Sequence, residues 1–224
     1  MEVVGWKMVE TVTIHITRNK NLCFTVPELD GLLTSRFVST IEGTVCEEIS
    51  IDETVEDVCR IGKSAYLESL SGGCRTLVGN LILDQNAPSQ DLWKLYNVTR
   101  IYGCLHISNT SLQNFAPLWK LVDIYTLEAN NSALIVDSNP RLKSIYLNKI
   151  DRFISYLPVR VSENPSLRLS GEDCDLYQTS ARSEFLKNNV DCTGHQKSAI
   201  MCGDIHWLAT LVSVVLQSVM TYGM

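Results

Sequence analysis

No cluster of lysine and arginine occurs anywhere in this 224-residue chain; its 19 basic residues are spread thinly against 25 acidic ones, for a net charge of −6. Nucleic-acid binding draws most of its affinity from concentrated positive charge, so DNA and RNA are excluded as expected partners. Also missing are the Gly-x-Ser-x-Gly, His-Glu-x-x-His, P-loop and dinucleotide signatures, and no pair of carboxylates recurs at a spacing suited to acid/base work. The expectation is a protein that is not an enzyme and holds no cofactor. No two cysteines stand in Cys-x-x-Cys spacing, which argues against a structural zinc site or a thioredoxin-like redox pair. EF-hand spacing is absent too, so the acidic stretch between Arg36 and Arg60, free of basic residues, reads as a solvated linker and no metal site is expected. The first ten residues include Glu2, Lys7 and Glu10 and lack the apolar stretch of a signal-peptide core.

Against these absences stand eight cysteines, many for a chain of this size in a reducing compartment. Three Asn-x-Ser/Thr sequons, at Asn97, Asn109 and Asn130, mark candidate glycosylation sites. Cysteines and sequons together point to an oxidising, secretory route. The missing leader is reconciled with them if the sequence begins inside a longer chain; the alternative is a cytosolic repeat scaffold with free thiols.

A self-similar pattern organises the middle of the chain. Ile14-x-Ile16-x-x-Asn19-x-x-Leu22 recurs as Leu134-x-Val136-x-x-Asn139-x-x-Leu142 and as Val159-x-Val161-x-x-Asn164-x-x-Leu167. A looser copy runs Leu105-x-Ile107-x-Asn109 and ends at Leu112, preceded by the apolar strand Leu81-Ile82-Leu83. Steps of 24, 29 and 25 residues from Leu83 to Ile107, Val136 and Val161 suit one rung of a solenoid each, with alternate residues turned inward. Asparagine suits the turn because it tolerates left-handed backbone angles, and in a stack its amide can bond the asparagine above or below. The fold class predicted is mostly β: a right-handed parallel β-helix, similar to leucine-rich-repeat solenoids, with short capping helices.

The caps set the expected boundaries. Thr25-Val26-Pro27-Glu28 carries an N-cap, an early proline and an acidic first turn, which predicts a helix. A second helix is expected to start at Thr179 or Ser180 and run through Arg182 to Lys187. Cys23 and Cys46 bracket the first helix, Cys174 and Cys192 the second, and Cys59 and Cys74 flank the entry to the second unit. Three disulfides are expected from this proximity, since spacing alone does not fix connectivity. The expected division is 1–46 as the end of a first unit, 47–58 as linker, 59–192 as a complete unit, 193–204 as spacer and 205–224 as a hydrophobic anchor signal.

These residues resemble the receptor L domain of the insulin and epidermal growth factor receptors. Cys59-Arg60-Ile61-Gly62 followed by Cys74-Arg75-Thr76-Leu77-Val78-Gly79-Asn80-Leu81-Ile82-Leu83 looks like the opening of that family. Ile101-Tyr102-Gly103-Cys104-Leu105-His106-Ile107 is similar to its second rung and Asn164-Pro165-Ser166-Leu167 to its last. With no cysteine-rich module and no kinase, the arrangement most resembles the nematode proteins with tandem L domains. The resemblance implies a right-handed β-helix that binds a ligand at the cell surface.

From Ile205 to Met224 there is no charged residue, and a GPI-anchor signal fits this short apolar end better than a transmembrane helix; an amphipathic helix packed on the domain is the structural alternative. The membrane is thus an expected partner through the tail, beside a peptide or protein ligand. Candidate ligand-contacting residues are the outward ones of the flat sheet face, Cys104, His106, Ile135, Asp137, Arg160 and Ser162, with Ile82 at its edge. Cys104 has no partner in the three-disulfide scheme, and Cys202 leaves with an anchor signal. An outward Cys104 suggests a linked homodimer and an adhesive or structural role; a buried, inert thiol is the other reading.

Overall fold

Three- and four-residue segments with Val, Ile or Leu at alternate positions cannot bury their apolar side alone, and they gain stability by stacking. In the computed structural model they stack into two five-stranded sheets in which every neighbouring pair is parallel. The structure describes residues 14–17, 21–34, 38–46, 57–62, 67, 70–87 and 89–192; the expected spacer and anchor segment and residues 47–56 of the expected linker lie outside them. Residues 1–192 group as one compact unit.

The first sheet has the order Arg152–Ile154, Asp123–Tyr125, Arg100–Tyr102, Thr76–Val78, Val58–Arg60. The second has the order Ser183–Leu186, Val159–Ser162, Leu134–Asp137, Leu105–Ser108, Leu81–Leu83. From Thr76–Val78 to Val159–Ser162 the chain visits the two sheets alternately, so each of these repeats adds one strand to each, and a further strand lies at one edge of each sheet, Val58–Arg60 in the first and Ser183–Leu186 in the second. Fold class is therefore mostly β, with parallel sheets and few helices.

Inward side chains of the second sheet, Leu81, Leu83, Leu105, Ile107, Leu134, Val136, Val159 and Val161, are completely buried. They meet Leu77, Ile101 and Ile124 of the first sheet and the return-leg residues Leu95, Val98, Phe115, Leu118, Leu121, Leu142 and Leu167 in one core. Each such side chain contributes about 1.5–3 kcal/mol by leaving water.

The turn chemistry differs from the expectation by one residue. Asn109, Ser138, Glu163 and Lys187, each directly after a strand of the second sheet, carry the positive φ of the corner. Asn139 and Asn164, the next residues, are fully buried. A buried amide needs partners for both its donors and its acceptor, and here the stack supplies them. Asn139 Nδ2 donates to Asn164 Oδ1 at 3.0 Å, and Asn164 Nδ2 donates to Asn188 Oδ1 at 2.8 Å. The loose copy is out of register for the same reason: Asn109 is the corner, while Thr110 takes the ladder place and donates from N and Oγ1 to Asn139 Oδ1 at 2.9 and 2.8 Å.

Two glycines permit the rungs to approach at the corner between the sheets. Gly79 has φ +111°, and a Cβ on Gly103 would lie 2.2 Å from the Gly79 carbonyl oxygen.

The first helix, α1, spans Val26–Thr34. Thr25 and Glu28 form its capping box: the Thr25 amide donates to Glu28 Oε2 at 2.9 Å and the Glu28 amide to Thr25 Oγ1 at 3.4 Å. The second, α2, spans Gly171–Ser180, several residues ahead of the expected helix. Ser170 caps it and Asp173 reciprocates, so Ser-Gly-Glu-Asp starts the helix. Ser183–Leu186, expected to be helical, is the edge strand of the second sheet, with Phe185 partly buried against the core. Disulfides join Cys23 to Cys46, Cys59 to Cys74, and Cys174 to Cys192.

Candidate functional site

The outward faces of the two sheets have different fates. On the first sheet, Val78, Tyr102 and Tyr125 are buried under the N-terminal segment, where they cluster with Phe24, Val26, Leu29, Leu33 and Ile41. A polar column runs beside them. Asp123, almost fully buried, accepts from Arg152 Nε at 3.2 Å and from Arg100 Nη2 at 3.3 Å. Arg152 Nη1 also donates to the Leu33 carbonyl at 2.9 Å, and Asp30 of α1 accepts from both Arg100 and Tyr102. Burial, with the hydrogen bond to Asp30 next, pushes the Tyr102 hydroxyl well above the usual tyrosine range. Desolvation opposes the Arg100 charge, but the nearby Tyr102, Asp30 and Asp123 outweigh it and hold the guanidinium more firmly protonated. This face is committed to holding α1.

On the second sheet the outward residues remain open. Register places Ile82, His106, Ile135, Arg160 and Glu184 in one row across the five strands. A parallel row holds Ser108, Asp137, Ser162 and Leu186. Ile82, His106, Ile135, Asp137 and Ser162 are half-exposed, and Arg160 is exposed. His106 Nε2 and Asp137 Oδ1 lie 2.7 Å apart, a bond between neighbouring strands and between the two rows. The face thus alternates apolar and charged groups across its width: isoleucines at 82 and 135, the His106–Asp137 pair between, then Arg160 and Glu184. Such a mixture suits an extended or folded protein surface that offers both apolar and polar contacts.

Ser108, Glu184 and Leu186 belong to this face but were not among the sequence candidates. Glu184 and Leu186 were hidden by the helical reading of their segment; the alternation in Ser183-Glu-Phe-Leu186 was the available signal.

Cys104 does not belong to it. Strand parity places it outward, but the residue stands at the corner between the sheets, before the strand begins, where alternation no longer applies. Its side chain is buried, its amide donates to Asn80 Oδ1 at 2.8 Å, and it forms no disulfide. Burial, with the charge of Glu128 second, pushes the thiol up to about 12. An inaccessible, protonated thiol is unsuited to linking two chains, which corrects both the outward placement of Cys104 and its use as a dimer link.

All three sequon asparagines, Asn97, Asn109 and Asn130, have exposed side chains. Among the described residues no helix is long and apolar enough to cross a membrane.

Residues 73–179, a little under half of the chain, match the Receptor L domain family. The match contains four of the five strands of each sheet and every outward candidate from Ile82 to Ser162. Receptor L domains are typically extracellular, ligand-binding and non-catalytic. Comparison with curated proteins gives no match.

Proposed function

We propose that this chain is an extracellular, non-enzymatic receptor-like protein that binds a peptide or protein ligand on the outward face of its second sheet. Its strands coil as a right-handed parallel β-solenoid, glycosylated at exposed sequons and held at the cell surface by the apolar segment 205–224. The observation that carries this reading is the contrast between the two sheet faces. One is sealed by α1 and the Arg100–Asp123–Arg152 column, while the other leaves Ile82, His106, Ile135, Asp137, Arg160 and Ser162 accessible within the family-matched segment. Alternating visits to two parallel sheets, the amide ladder and the helix α2, whose Tyr177 enters the core, support the coil.

The test is saturable binding of the full, purified chain to intact cells of its source tissue. Ile135→Glu and Arg160→Glu, introduced together, place charge at the centre of the face without touching the core. Binding is expected to weaken at least about tenfold, the loss of about 1.4 kcal/mol or more that a central contact supplies. Lys143→Glu, on the return leg, leaves it unchanged. Equal binding by all three proteins contradicts the proposal.

A further inference from the structure

Of the seven large hydrophobic side chains that the described residues leave exposed, three line a single groove. Tyr96, Trp119 and Tyr146 come from successive return legs and share the groove with Ala116, Asn148 and Lys149. Its volume, about 580 Å³, falls among those of sites that hold small ligands. Isolated exposed aromatics are ordinary, but a gathered set on a secreted domain marks a surface that something covers.

The neighbouring residues indicate what covers it. Tyr96 directly precedes Asn97, the acceptor of the first sequon. Lys120 Nζ donates to Asn97 Oδ1 at 2.9 Å and stands 5.0 Å from the centroid of the Trp119 ring. Asn97 Oδ1 is therefore no more than about 8 Å from that centroid. An ammonium group can only donate, so the amide presents Oδ1 to Lys120 and leaves Nδ2, the atom that carries an N-linked sugar, as its other half.

We propose that this groove seats the chain's own N-linked glycan, carried on Asn97, with its first sugars packed on Trp119 between Tyr96 and Tyr146. The proposal rests on the extracellular reading above. Attachment forms a bond from Asn97 Nδ2 to C1 of N-acetylglucosamine, displaces the diphosphate of the lipid-linked donor and releases the Nδ2 proton. A pyranose offers an apolar C–H face to an aromatic ring and hydroxyl and acetamide groups at its rim. Trp119 supplies the ring, Asn148 a polar partner beside it, and Lys149, whose Nζ stands over the ring at 5.1 Å from its centroid, a donor that turns from the ring to the sugar hydroxyls. Lys120 holds the acceptor amide in reach of the ring before the sugar is added.

The experiment uses the full chain secreted from eukaryotic cells, with glycan occupancy mapped at Asn97, Asn109 and Asn130. Urea unfolding is then compared for the glycosylated protein, Asn97→Gln, Trp119→Ala and the double variant. Loss of the Asn97 glycan is expected to raise the unfolding constant at least about threefold when Trp119 is present, and to have no effect when it is absent, the coupling expected of one sugar–aromatic contact. Trp119→Phe, which keeps a ring, retains the coupling and controls for a loss of folding. Additive effects overturn the proposal, as does an empty Asn97 beside an occupied Asn109 or Asn130. If all three sequons are empty, the extracellular reading falls as well.

Discussion

Asn139 and Asn164 stand 25 residues apart in sequence, yet their side-chain amides are bonded at 3.0 Å in the buried interior of the protein. Asn164 also accepts the Asn139 backbone amide at 3.0 Å and donates to the Val136 and Ser162 carbonyls at 3.1 and 2.8 Å. With Thr110 above and Asn188 below, these residues form a continuous polar thread along an otherwise apolar stack. The thread fixes register, because a slip of one residue would bury several unpaired amide groups at once.

Replacing Asn164 by Ala removes the acceptor of the Asn139 backbone amide and one partner each of the Asn139 side chain and the Val136 and Ser162 carbonyls, while Asn139 Nδ2 keeps the Ile107 and Asp137 carbonyls and the Ser162 carbonyl keeps the Ser138 amide. The expected loss of stability is about 3 kcal/mol, from an unmet buried group costing about 1–3 kcal/mol and partial relaxation around the site. Asn148→Ala, on the exposed return leg, is expected to change stability by less than about 0.5 kcal/mol. Urea denaturation of the two variants provides the comparison.

Gly103 and Gly31 give opposite results for the same substitution. A Cβ at Gly103 would overlap the Gly79 carbonyl oxygen at 2.2 Å, so Gly103→Ala forces the two rungs apart and costs at least about 2 kcal/mol. Gly31 lies inside α1 with no atom within 4 Å of the position a Cβ would take. Gly31→Ala is expected to stabilise by about 0.5–1 kcal/mol, the helix-propensity difference. Thermal melts of both variants test the pair.

Cys104 should behave as a buried thiol. Peptide mapping after brief iodoacetamide treatment is expected to show Cys104 unmodified in the folded protein and modified after denaturation. The folded thiol holds its proton up to about pH 12, whereas the unfolded one releases it from its ordinary value of 9.0. Below pH 9 both states carry the proton and the group does not affect stability. Between those values the folded state binds more protons, so stability falls as pH rises. Rapid labelling of the native protein at pH 8 contradicts the buried placement.

Asp123 holds the two guanidiniums that clamp α1. Asp123→Ala removes the shared acceptor and is expected to cost about 2 kcal/mol, below the range for a fully buried pair because Arg100 and Arg152 remain a quarter exposed. Hydrogen exchange should locate the effect, with amides of Val26–Thr34 losing protection before those of the second sheet.

The strand positions and the inward set were legible because period-2 alternation and a repeat near 25 residues are written directly in the side chains, as Leu134-x-Val136 and Val159-x-Val161 show. The cysteine pairing was legible from proximity along the chain, although Cys174 lies inside α2 and Cys23 and Cys46 enclose two short strands as well as α1. What escaped were the places where local signals compete. Ser170 and Asp173 outweighed Thr179 as the helix start, since a reciprocal cap satisfies two backbone donors. Ser183–Leu186 joined an existing sheet edge, whose hydrogen bonds override weak local preference. Cys104 escaped because strand parity was extended past the corner at Gly103. The sealed face escaped entirely: nothing in Asp30 or Arg100 alone announces that a helix from the N-terminal segment covers the first sheet.

The central claim is that ligand is bound by the open face of the second sheet. A photoreactive amino acid placed at position 135, on full-length protein displayed on cells, tests it most directly against the same group at position 143. One cross-linked partner of defined mass is expected from position 135, competed away by excess unlabelled protein, and none from position 143. Cross-linking from position 143 alone, or from neither position while the protein still binds cells, would contradict it.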